Sequence, residues 1–150
     1  MGWAATAVVV AVGSAAVLMP RGEDAPRIER RRWIFAVFLG TIAFAAVRLL
    51  IPTVVLPVTI GGAIASSIAA VAEEAFFRRF LYGVLTRCGA SVAILGSAVA
   101  FATVHVPLYG IEALPIDLGA GLVLGWQRWA TGGWSAPAVT HVAANLLILG

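Results

Sequence analysis

Lysine is missing from this 150-residue chain, and charge of either sign is scarce: ten arginines and seven acidic residues make up 11% of it. A soluble domain carries about 25% charged residues, so the chain has too little charge to cover a surface in water. One cysteine, Cys88, excludes an internal disulfide. No glycine-rich phosphate loop, internal repeat or low-complexity tract is present, which removes nucleotide-driven and solenoid classes. The net charge of +3 and pI near 10 are not a nucleic-acid signal, because half of the arginines fall in one stretch, Arg21 to Arg32. No nucleic-acid partner is expected.

What the chain does have is apolar length. It is 61% hydrophobic, with a mean hydropathy of +1.00. About 20 apolar residues cross a bilayer, so five or six crossings nearly use up the chain. The fold class expected is all-α, a polytopic transmembrane bundle of about six helices in contact with membrane lipid. The spans read as Trp3–Pro20, Trp33 to about Ile51, Leu56 to about Arg87, Ser91–Val106, Pro115 to about Trp129, and Pro137–Gly150. Pro52 and Pro57 bracket a bend and Pro107 ends the fourth helix, since proline cannot sustain interior helix bonding. Gly121 and Gly125 give the fifth helix a small-xxx-small face for close packing. Glu112 and Asp117 read as caps of that helix.

Two parts follow: residues 1–54, two N-terminal helices joined by a basic cytoplasmic loop, and residues 55–150, a functional bundle. Arg87 and Arg128 fall on the same side as the basic loop in a six-helix alternation, which the positive-inside rule makes cytoplasmic. The arginine-only, Ala/Val/Gly-rich composition suits a bacterial plasma membrane protein.

In such a chain the polar residues inside the helices carry the information. An ionisable group at mid-bilayer costs about 2.5–3.5 kcal/mol on insertion scales and by default faces inward with a task. Glu73 and Glu74 end a 24-residue uncharged run, Leu49 to Ala72. Glu74 and Arg78 are i and i+4, the favourable order for an ion pair. Glu73 is turned about 100° away and is the less committed carboxylate. Phe101 and His105 share a face, as do His141 and Asn145, and these are the only two histidines.

A turn near Gly89 leaves Glu73 16 residues before it and His105 16 after. At about 1.5 Å per residue both stand roughly 24 Å from the turn, at one depth. A carboxylate beside an imidazole can hold a water and take its proton. His141, about eight residues past Gly133, falls short of that depth in rigid parallel helices.

Three motifs now stand in order: Glu-Glu-Ala-Phe-Phe-Arg at 73–78, Phe-Ala-Thr-Val-His at 101–105 and His-Val-Ala-Ala-Asn at 141–145. They resemble the EExxxR, FxxxH and HxxxN motifs of the CPBP family, the CAAX proteases and bacteriocin-processing enzymes, over about residues 55 to 150. The resemblance implies an intramembrane endopeptidase acting on membrane-associated peptides or proteins. It implies that Glu73 and His105 activate the hydrolytic water and that His141 and Asn145 stabilise the oxyanion. Glu74, Arg78 and Phe101 would be supporting. Arg79 stands where the family often has glycine. A metal-free glutamate mechanism needs no cofactor. The alternative is zinc on Glu73, His105 and His141 with an open position. Two non-peptidase readings are a membrane immunity or scaffold protein that keeps the motifs, and an ion path. The latter predicts matched broken halves, which the sequence lacks.

Overall fold

The computed structural model describes residues 29–51 and 59–149, with side chains to residue 147. The apolar runs become five helices among the described residues, with no strand. Helix α1 is Arg30–Leu50. Helix α2 is the continuous rod Ile60–Cys88. Helices α3, α4 and α5 are Ala90–Tyr109, Leu114–Thr131 and Ser135–Leu149. The expected span Trp3–Pro20, the Pro52–Pro57 bend and the Leu56 start of the third span lie outside the described residues.

Among the described residues three helices, α1, α2 and α3, are long and apolar enough to cross a membrane. The side chains are arranged as lipid requires. Leu49, Leu50 and Ile60 are more than 80% exposed, while Glu74, Arg78, Gln127 and Thr140 are fully buried. The protein is an integral membrane helix bundle. With lipid outside, helix association draws on close packing and interhelical hydrogen bonds, and the interior is correspondingly rich in alanine.

Glycine sets the closest approach. A Cβ on Gly121 would stand 2.8 Å from the Cα of Ala98, and one on Gly125 would stand 3.3 Å from Ile94. The small-residue face expected on α4 is thus the seam against α3. Gln127 ties α4 to two other helices, its Nε2 donating to the Ala36 carbonyl at 2.7 Å and to Thr140 Oγ1 at 2.8 Å. Trp33 donates to Ser135 Oγ at 3.1 Å, joining the starts of α1 and α5. Gly89 (φ 105°) and Gly132 (φ 68°) turn the chain where a side chain would be strained.

One boundary expectation is corrected, and a second holds through the helix dipole but not through a bond. Pro107 does not end α3, which runs on to Tyr109. It removes only the bond to the Thr103 carbonyl, and the helix stops a few residues later at Gly110, whose N–H still reaches the Val106 carbonyl at 2.9 Å. No side-chain hydrogen bond from Glu112 or Asp117 caps α4. Asp117 does lie in the first turn, where the helix dipole suits it, but its Oδ2 is buried and has no partner among the described residues.

Candidate active site

Glu73 and Glu74 sit where α2 changes its winding. The α-helical part ends at Glu74, and Ala75–Leu81 is a π-helical stretch. A π turn inserts an extra residue per turn and breaks the regular ladder, a feature frequent at functional sites. No motif in the sequence announces it. Phe77 packs edge-on against Phe101 at 5.3 Å, fixing α2 against α3 at this level.

The two carboxylates differ as the spacing suggested. Glu74 is fully buried. Its Oε1 accepts from Arg78 Nη1 at 3.2 Å and lies 2.9 Å from His141 Nδ1. Arg78 is fully buried as well, donates from Nη2 to the Gly121 carbonyl at 3.1 Å, and stands over the Phe101 ring at 4.7 Å. Glu73 makes no hydrogen bond among the described residues. Its Oε2 lies 3.7 Å from His105 Nε2 and 3.8 Å from His141 Nε2. These separations are too long for hydrogen bonds.

The histidine rings are held from behind. His105 Nδ1 is 2.7 Å from the Phe101 carbonyl. A carbonyl can only accept, so this nitrogen carries hydrogen and Nε2 is the one turned to Glu73. His141 Nδ1 is held by Glu74 in the same way, leaving its Nε2 on Glu73. Three groups from three helices therefore converge, each oriented by a second contact or by the chain beside it.

The depth problem for His141 disappears. Only eight residues separate it from the Gly133 turn, against 16 between His105 and Gly89, yet both rings reach one oxygen. Parallel rods with turns at one level cannot do this, so the turn before α5 stands about half as far from the site along its helix. Asn145, one turn beyond His141, does not join the cluster. Its Nδ2 points to the Ser66 carbonyl at 3.4 Å, though the residue lines the same cavity.

That cavity has a volume of about 240 Å³. Glu73, His105, His141 and Asn145 form one part of its wall; Arg48 and Asp117 belong to it too. Sequence reasoning passed over Arg48 and took Asp117 for a cap. A hint was available: both are charges inside apolar helices, the property that singled out Glu73.

The cluster can hold a water between a carboxylate and two imidazole nitrogens. Its donor types also suit zinc, but among the described residues no three His, Cys, Asp or Glu side chains are gathered into a set that could hold a metal ion. Glu73, His105 and His141 are thus not a ready ligand set as placed.

Comparison with curated proteins and with solved structures gave no match. A family model described as type II CAAX prenyl endopeptidase, Rce1-like, matches residues 62–147, more than half of the chain. The matched stretch holds Glu73, Glu74, Arg78, His105, His141 and Asn145, and it agrees with the resemblance that the three motifs carry. This membrane helix bundle, with its adjacent glutamates facing two buried histidines, belongs to the Rce1-like type II CAAX prenyl endopeptidase family.

Proposed function

We propose that the protein is an intramembrane endopeptidase in which Glu73, with His105, activates a water that attacks a peptide carbonyl. The observation that carries this reading is the convergence of His105 Nε2 and His141 Nε2 on one oxygen of Glu73, at 3.7 and 3.8 Å. Glu73 takes a proton as the water oxygen bonds to the carbonyl carbon. The tetrahedral oxyanion is met by His141, which then carries hydrogen on Nε2 as well as Nδ1, and, after its amide swings from Ser66, by Asn145. Collapse breaks the C–N bond, and the proton held by the Glu73–His105 pair passes to the leaving amine. Donors aimed at developing charge are worth most in a water-poor site. The chemistry needs no metal. Substrates would be peptide precursors, leader peptides or membrane-protein fragments, in a bacterial membrane.

The test is cleavage of a membrane-delivered peptide library by the purified protein, with wild type, Glu73→Ala and Glu74→Ala each assayed with and without chelator. Cleavage by wild type that Glu73→Ala loses, unaffected by chelator, supports the reading. Chelator sensitivity transfers the water to a metal. Rescue of a deletion phenotype by Glu73→Ala sinks the catalytic role and favours an immunity or scaffold protein.

A further inference from the structure

Arg48 belongs to no part of the mechanism above. It lies in the last turn of α1 and forms part of the cavity wall that Glu73, His105 and His141 share. Its Nε is buried and has no hydrogen-bond partner among the described residues. A guanidinium cannot escape this by losing its proton, and a buried donor left without a partner is costly. The cavity's own carboxylates do not supply one. Neither Glu73 nor Asp117 is ion-paired with Arg48 among the described residues, whereas Glu73 stands against the two histidines. Its apolar neighbours in the wall are Phe44 and Val47 on α1, Ile51 just beyond α1, and Ile116 on α4.

A guanidinium whose buried Nε has no partner, set beside apolar side chains in the wall of the cavity that also holds the hydrolytic cluster, has the form of a specificity subsite. Arginine's fork matches a carboxylate through two parallel hydrogen bonds, which adds orientation to attraction. We infer that Arg48 binds a carboxylate of the substrate peptide and so sets which bond reaches Glu73. The carboxylate is either the peptide's own C-terminus or an acidic side chain close to the cleaved bond. The inference takes its substrate from the peptidase reading, but its test is a binding measurement independent of turnover.

Three N-myristoylated apolar pentapeptides serve as probes: a free acid, its C-terminal amide, and an amide whose last residue is glutamate. Their affinities are measured by fluorescence titration for wild type, Arg48→Gln, Arg48→Lys and Glu73→Gln in phosphatidylcholine nanodiscs. Wild type is expected to bind one of the two carboxylate peptides at least tenfold more tightly than the neutral amide, and which one identifies the source. The preference should vanish in Arg48→Gln, persist in part in Arg48→Lys and survive in Glu73→Gln. Equal binding of all three by wild type, including no binding at all, overturns the inference without any variant having to fold. A preference unchanged in Arg48→Gln overturns it as well. An Arg48-dependent preference with no cleavage keeps this inference and removes the peptidase reading; cleavage without the preference does the reverse.

Discussion

Arg128 donates its Nε–H to the backbone carbonyl of Arg78 at 3.0 Å, across 50 residues of sequence, and its guanidinium lies over the Tyr82 ring at 5.1 Å. The accepting carbonyl is inside the π-helical stretch, where the regular ladder is interrupted. Arg128 therefore holds from α4 the segment that follows Glu73 and Glu74. Hydrogen bonds from charged groups contribute about 1.5–3 kcal/mol. Arg128→Leu should lower stability by about that amount, read as a shift of thermal unfolding in detergent. Peptidase rate should fall with it, because the winding around Glu73 loosens. Arg128→Lys, which brings charge without the planar fork, should recover only part of either.

The α3–α4 seam gives a sharper contrast. Gly121→Ala would press a methyl group onto the Ala98 backbone at 2.8 Å, where neither side can yield without moving a helix. Overpacking of this kind costs about 1–3 kcal/mol. The shift would also move the Gly121 carbonyl, which accepts from Arg78 Nη2 at 3.1 Å. Gly119→Ala, with nothing within 4 Å of the added carbon, should be silent or slightly stabilising on the same helix. Paired melting curves and cleavage rates of the two variants check this, and equal losses would refute the seam as the cause.

What was legible in the sequence was whatever a helix encodes along its own axis. Trp33 to Ile51, the Gly89 turn, the Gly132 turn and the small face of α4 all follow from local chemistry. Glu73 and His105 met because equal counts from a tight turn put them level. His141 was not derivable, since its depth depends on how far the preceding turn lies from the site, which is a property of packing. The π stretch at Ala75–Leu81 was hidden for a similar reason. It is contacted by Arg128 and Phe101 from other helices, and the i, i+4 pairing of Glu74 with Arg78 reads as ordinary helix. Arg48 and Gln127 were missed, and Asp117 was read only as a cap, because each looks conventional on its own helix and gains its meaning from the neighbours.

Gln127 offers a test of the interhelical polar bonds. Its Nε2 serves Ala36 and Thr140 together, while its Oε1 is buried with no partner among the described residues. Polar contacts between membrane helices average about 0.6 kcal/mol in double-mutant cycles and reach about 1.7. The pair Gln127→Leu and Thr140→Val should show a coupling in that range, measured from unfolding in mixed micelles. The upper end is expected, since both side chains are fully buried. Zero coupling would mean that the geometry contributes packing alone.

Glu74 sits at the junction of structure and chemistry, and the two can be separated. Removing it alone leaves the Arg78 cation buried without its counter-charge, a loss of about 3–5 kcal/mol for a buried pair. A drop in activity of Glu74→Leu would therefore say nothing about its role. Replacing both partners, Glu74→Leu with Arg78→Met, removes the stranded charge, and such apolar replacements are often neutral or stabilising by about 1–4 kcal/mol. Thermal stability should return to near that of wild type. Activity should not, because His141 Nδ1 has lost the carboxylate that holds it at 2.9 Å and its Nε2 is free to turn from Glu73. Misplacing a reacting group by about 1 Å can cost about 10²-fold in rate, and a deficit of that order is expected in the double variant. If activity recovers together with stability, Glu74 is a structural partner of Arg78 only, and the orientation of His141 is set by its packing against Phe101, whose ring lies 5.7 Å away.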